Sequence, residues 1–238
     1  MIARRTQSLG TFTEVAERVY VALAVTDDAI DTLPVTPALL RSAVGLPKWR
    51  AKEHVAVRAL LAILLRQALN VPRIDAEVRQ HPSGQPYLVR RPDICISLSH
   101  SNGYVAAAVA PGRRVGVDVQ VAVSPSRRLL DRCCGEESPA IDALDSHERA
   151  RRFARVWAAQ EACSKVESKG LSGRPWTISV PSLEDRGEWA RIRWLQLRGV
   201  DSDVAVSAAF GTDHAPMDVP TSADMTDGGA RLYGRTIL

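Results

Sequence analysis

Hydrophobic and polar positions alternate most clearly over residues 18–25, where Val19, Val21, Leu23 and Val25 recur at every second position. That period predicts a strand with one face buried. Pro34 and Pro37 interrupt the chain, and over residues 48–69 the period lengthens to that of a helix. There Val57, Leu60, Leu61, Leu64 and Ala68 form one stripe, while Lys52, Glu53, Arg58 and Arg66 lie off it. The stripe stops before Asn70-Val71-Pro72, and the Pro and Gly content of residues 81–86 marks a turn. Two strands, 94–99 and 104–110, joined by a short turn at Ser101-Asn102-Gly103, make a hairpin. After Pro111-Gly112, residues 115–121 alternate Val115, Val117 and Val119 with Gly116, Asp118 and Gln120, so Asp118 and Gln120 project from one face.

Helical signals run from residue 125 to 169, broken near Gly135 and Ser138-Pro139, and the last helix is expected over 146–169. Residues 170–175 read as a loop, and 177–180, 189–198 and 204–210 as strands. From Gly211 the sequence is polar and aperiodic, which predicts a poorly ordered tail with Leu232 and Tyr233 as its docking residues. Each half holds an amphipathic helix and closes on an alanine-rich strand. This echo suggests a duplicated α+β unit: a lobe over 1–112, a second over 113–211, and a tail over 212–238.

The composition is that of an ordinary globular protein, with 45% hydrophobic and 24% charged residues. No apolar run reaches membrane-spanning length, and no secretory signal pattern follows Met1, so a cytoplasmic protein without a membrane partner is expected. Cys95, Cys133, Cys134 and Cys163 form no CxxC pair and have no histidine at metal-ligand spacing, which argues against a zinc site or a disulfide framework. Lys and Arg total 31 against 27 Asp and Glu, a net charge of +4, and the lysines are only Lys48, Lys52, Lys165 and Lys169. Arginine suits bidentate binding of phosphate and carboxylate, although a GC-rich genome produces the same bias. Nucleic acid is disfavoured as a partner, because aromatic residues are 5% and are not interleaved with the arginines.

Three segments carry candidate chemistry: Ser97-Leu98-Ser99-His100-Ser101, Val115 to Gln120, and the stretch from Trp157 to Lys165. Taken singly, each has an ordinary reading as a surface histidine, a strand-end carboxylate or an i,i+4 helix pair worth a few tenths of a kcal/mol. Asp118, however, sits inside a valine strand, where a lone carboxylate is costly unless paired or bound to a cation. Trp157, Glu161 and Lys165 fall on one helix face. An Asp on a strand and a Glu on a helix together suit Mg²⁺, which takes one or two carboxylates and completes its shell with water and substrate phosphates.

The order and spacing of these segments resemble the 4′-phosphopantetheinyl transferases, specifically their larger, two-lobed Sfp-type class. The parts that carry the resemblance are Gly84-Gln85-Pro86, Ser99-His100-Ser101, Gly116-Val117-Asp118, and Trp157-x-x-x-Glu161-Ala162-x-x-Lys165 followed by Lys169-Gly170-Leu171. It implies two similar α+β lobes related by a pseudo-twofold axis, with the site in the cleft between them. It further implies a monomeric enzyme that uses Mg²⁺ to move the phosphopantetheine arm of coenzyme A to a serine of an acidic acyl or peptidyl carrier protein, releasing adenosine 3′,5′-bisphosphate. By matching positions, Asp118 and Glu161 are metal ligands, with Gln120 a neutral third. Glu161, directly or through a metal-bound water, is the candidate for taking the serine proton, and Lys165 neutralises the pyrophosphate. Ser99 and His100 contact the nucleotide phosphates, Gln85 and Pro86 form the turn, and Lys48, Lys52 and Arg58 serve the 3′-phosphate.

Three glutamines depart from the pattern: Gln85 and Gln160 where the family has a basic residue, and Gln120 where it has an acid. A coenzyme A or carrier-binding descendant without turnover is therefore the alternative. The arginine clusters 149, 151, 152 and 155, or 127, 128 and 132, are candidate docking surfaces for an acidic carrier, with a solvated arginine face as the competing reading.

Overall fold

The computed structural model describes residues 11–72, 78–168, 173–197 and 201–213. The segment Lys169-Gly170-Leu171, most of the expected tail, Leu232 and Tyr233 lie outside them. Six strands, β1 (Thr11–Ala16), β2 (Val19–Val25), β3 (Val78–Gln80), β4 (Pro86–Leu88), β5 (Ile94–Ser101) and β6 (Tyr104–Pro111), form one antiparallel sheet in the order β1-β2-β6-β5-β4-β3. A second antiparallel sheet, ordered β7-β10-β9-β8, is built from β7 (Val115–Val121), β8 (Arg186–Trp189), β9 (Ile192–Gln196) and β10 (Val204–Gly211). The helices are α1 (Thr26–Thr32), α2 (Pro37–Arg41), α3 (Lys48–Leu69), α4 (Arg127–Cys134), α5 (Ser138–Asp142) and α6 (Ser146–Val166).

The two-residue period of the strands explains how the layers stack. On β6, Val105, Ala107 and Val109 pack with Leu60, Leu61 and Leu64 of α3, whereas Ala106, Ala108 and Ala110 pack with Val117, Val119, Val206 and Ala208 of the smaller sheet. Both faces of β6 are therefore buried, which is why it reads as an unbroken apolar run. Alanine there lets the two sheets approach closely. On the far side of the smaller sheet, α6 supplies Val156, Ala159, Ala162 and Cys163 against Ile192, Trp194 and Ala209. The layers thus run α3, six-stranded sheet, four-stranded sheet, α6. Two helix ends matter for the site. The Asp145 carboxylate accepts from His147 and Glu148 N–H to start α6, and Asn70 ends α3 with a left-handed φ of 50°.

Several elements differ from the sequence pattern. β1 is a strand that periodicity did not reveal, because its register with β2 slips between Glu14 and Ala16. The stretch expected as one strand over 189–198 is divided, since Ala190, at φ 52°, turns the chain between β8 and β9. Residues 177–180 are not a strand: Pro175–Thr177 form a 3-10 turn. The expected helix over 146–169 ends at Val166.

Candidate functional site

β7 is the outer strand of the smaller sheet, so its odd residues turn their N–H groups away from β10 and need other acceptors. Three serines of β5 supply them. Val117 N–H donates to Ser97 Oγ at 3.0 Å, Val119 N–H to Ser99 Oγ at 3.2 Å, and Val121 N–H to Ser101 Oγ at 3.2 Å. Side-chain oxygens thus take the place of a neighbouring strand, and the two sheets are locked in a fixed register along this seam.

The even residues of β7 face α6. Gly116 makes this possible, because a Cβ there would lie 2.0 Å from the Ala162 carbonyl oxygen. The close approach brings Lys165 to the seam, where Nζ donates to Val117 O at 2.8 Å, to Asp118 Oδ1 at 2.8 Å and, more loosely, to Leu98 O at 3.4 Å. An ammonium has three protons, so all of them are directed. Asp118 Oδ1 also accepts from Ser99 Oγ at 2.7 Å, which leaves Oδ2 for a further partner.

Glu161 lies one helical turn before Lys165 and is buried, with Oε1 lacking a hydrogen-bond partner among the described residues. Burial and the Asp118 charge push its carboxyl up to about 7, with Lys165 pulling the other way. Two buried carboxylates that repel each other, one with an orphaned oxygen, suit a divalent cation. The donor set is the one or two carboxylates that Mg²⁺ takes alongside water and phosphate. No group of three or more His, Cys, Asp or Glu among the described residues is arranged to hold a metal ion.

On the α3 side, His100 Nδ1 is 3.0 Å from Glu53 Oε2. Arg58 Nη1 donates to His54 Nδ1 at 2.9 Å. Arg58 has no acceptor to offer, so the His54 proton sits on Nε2 and goes to Ser42 Oγ at 3.0 Å, and the Ser42 hydroxyl donates to Leu39 O at 2.7 Å. Burial, then Arg58, His100 and Arg50, drive His54 down to about 4, which keeps its ring neutral in this chain of donors. Burial likewise lowers Arg58 to about 10.

Other expected site residues stand elsewhere or are already engaged. Lys48 is exposed at the start of α3, and Lys52 pairs with Asp27 at 2.5 Å. Gln85 lies in the turn, its carbonyl accepting from His81 N–H, and Pro86 opens β4. The Gln120 amide donates to Val121 O at 2.9 Å, which turns its nitrogen back onto the backbone. Ser99 spends its one proton on Asp118, so its hydroxyl cannot also donate to a phosphate.

Gln160 is engaged in the interior. It is fully buried and donates to Cys133 O at 2.8 Å and Ile178 O at 3.0 Å, clasping α4 and the segment after the 3-10 turn onto α6. Its amide nitrogen is thereby spent on two backbone carbonyls. The arginine clusters are also largely engaged at home. Arg127 pairs with Asp131 and Asp142, Arg149 with Asp142, Arg151 with Asp203, Arg152 with Glu148 and Arg155 with Asp185. Arg132 stacks 3.6 Å over the Trp176 ring. The four cysteines are free thiols, and burial pushes Cys133 and Cys163 up to about 12.

The elements that hold Asp118, Glu161 and Lys165 together also carry a family signature. Residues 114–209 match the 4′-phosphopantetheinyl transferase superfamily. The matched span begins just before β7 and ends within β10, so it contains all three residues. Ser99, His100, Glu53 and Arg58 lie before it. A comparison with curated proteins found no match. The superfamily domain suggests phosphopantetheine transfer. No helix among the described residues is long and apolar enough to cross a membrane.

Proposed function

We propose that this protein is a two-lobed, Sfp-type 4′-phosphopantetheinyl transferase, with residues 1–112 and 113–211 as its lobes. It moves the phosphopantetheine arm of coenzyme A to a serine of an acyl or peptidyl carrier protein and releases adenosine 3′,5′-bisphosphate. The observation that carries this reading is the buried acid pair Asp118 and Glu161 beside Lys165, inside the span that matches the superfamily.

Asp118 and Glu161 are the residues that would hold Mg²⁺, which supplies charge stabilisation to the pyrophosphate oxygens when bound. The chain's own groups do the rest. Glu161, as the carboxylate, accepts the proton of the attacking serine. The serine oxygen bonds to the pantetheine-side phosphorus as the bond to the bridging pyrophosphate oxygen breaks, and the electron pair leaves on the bisphosphate. Lys165 releases one of its backbone or carboxylate contacts to meet that developing charge. His100 and Arg58, at the α3 side, bind phosphate oxygens and orient the nucleotide.

The test is incubation with coenzyme A, Mg²⁺ and a panel of apo carrier proteins, read by intact mass. Addition of one phosphopantetheine to a carrier supports the reading. No addition to any carrier, with coenzyme A still bound, favours a binding protein without turnover. Asp118→Ala and Glu161→Ala must each abolish transfer in a folded protein.

A further inference from the structure

On β5 the even residues Ile94, Ile96 and Leu98 pack into the core shared with α3, and His100 is the next in that row. α3 meets it with Glu53, one turn before Val57 on the buried side of the helix. Glu53 is 9% exposed, a correction to its expected place off the apolar stripe. An acid buried at the head of a core stripe is costly unless its charge is answered. Glu53 Oε2 has no well-aligned hydrogen bond among the described residues, and His100 Nδ1 is the basic group at ion-pair distance, 3.0 Å. Nothing in the proton transfer described above uses Glu53.

We propose that Glu53 is a positioning residue for His100. A carboxylate 3.0 Å from Nδ1 favours the proton on that nitrogen over Nε2 and draws the ring towards α3 by charge, as a carboxylate behind a functional histidine does elsewhere. Nε2 is then the nitrogen left for a ligand, on a side chain that is 32% exposed. Nε2 donates to an anion only when the ring carries both protons, and Glu53 then stands 3.0 Å away as the countercharge. Resting on the functional reading above, the anion is a phosphate oxygen of coenzyme A, and Glu53 acts on its affinity through His100 without touching it.

The experiment joins two measurements on the full chain: ¹⁵N NMR of the histidine rings, and calorimetric binding of coenzyme A. In the unmodified protein His100 is expected as the Nδ1–H form when neutral. Glu53→Gln keeps the side-chain volume and an accepting oxygen, so it retains that tautomer while weakening binding. Glu53→Ala releases the ring to the commoner Nε2–H form and weakens coenzyme A about tenfold, with transfer at saturating coenzyme A little changed. In the double variant with His100→Ala, the Glu53 substitution adds nothing to the loss.

A His100 tautomer indifferent to Glu53, or losses that simply add in the double variant, overturns the proposal. Should Glu53→Ala fail to fold, Glu53→Gln alone and combined with His100→Ala decides by the same non-additivity. Absence of coenzyme A binding by the unmodified protein overturns the functional reading instead, and the NMR result then still decides whether Glu53 holds His100.

Discussion

Ser99 Oγ donates to Asp118 Oδ1 at 2.7 Å while accepting the N–H of Val119, the residue next to Asp118 in β7. One hydroxyl therefore fixes both the strand that carries the acid and the acid's rotamer. Ser97 makes only the first kind of contact, to Val117. The seam between the sheets and the chemistry of the site are thus separable by mutation.

Ser97→Ala and Ser99→Ala each leave a buried N–H without an acceptor and are expected to cost about 1–3 kcal/mol in denaturant unfolding. Only Ser99→Ala also removes one of the two donors on Asp118 Oδ1, leaving Lys165 as the other. It is expected to lower transfer by about tenfold beyond the effect of Ser97→Ala, measured at temperatures where both variants are folded. Equal transfer rates in the two variants would show that Asp118 needs no rotamer lock.

Gly116→Ala places a Cβ against the Ala162 carbonyl oxygen, a backbone atom that no side-chain rotation can move. α6 must shift outward, carrying Glu161 and Lys165 with it. The expected outcome is a loss of about 2–4 kcal/mol in stability and near-complete loss of transfer. A variant with wild-type melting temperature and rate would contradict the close approach of β7 and α6.

Glu161 makes stability fall with rising pH in metal-free buffer. Its folded value, about 7, lies above its unfolded value of 4.5, so between those values the folded state holds more protons than the unfolded one. Stability is full below about pH 4.5 and is lost as pH rises through about 7. Glu161→Gln should therefore stabilise the metal-free protein at about pH 8, on the order of 2 kcal/mol, and confer no advantage at about pH 4.5. Thermal melts of both proteins across this range, with a chelator present, check the sign.

Gln160→Lys is expected to destabilise the protein by more than about 3 kcal/mol and to leave transfer no faster. It would bury an ammonium where an amide now holds the carbonyls of Cys133 and Ile178. A stable variant with increased rate would mean that position 160 faces the site after all.

Regular elements with a strong period were legible in the chain: α3 and β7 span the same residues in sequence and structure, and the hairpin of β5 and β6 differs only at its ends. Asp118 was legible as a site candidate because a carboxylate among valines violates the apolar pattern around it. Glu53 was not, although it falls one turn before Val57 on the apolar face, because nothing in the local pattern shows His100 opposite it. Ser97, Ser99 and Ser101 likewise read as ordinary polar positions of a strand. The arginines of α6 read as a free basic face, because Asp203 and Asp185 are distant in sequence from the residues they neutralise.

Local periodicity, turn residues and residue order determined, without coordinates, where α3, β7 and the central hairpin lie and which acids and bases are candidates, since each of these depends on neighbours within one or two turns of chain. Which partner each polar group meets was decided only by the tertiary structure: Lys165 on Asp118, Glu53 on His100, the serines on β7 and Gln160 on the carbonyls of Cys133 and Ile178. Those pairings depend on how closely two sheets and two helices stack, a distance set by alanines and one glycine on facing surfaces far apart in sequence.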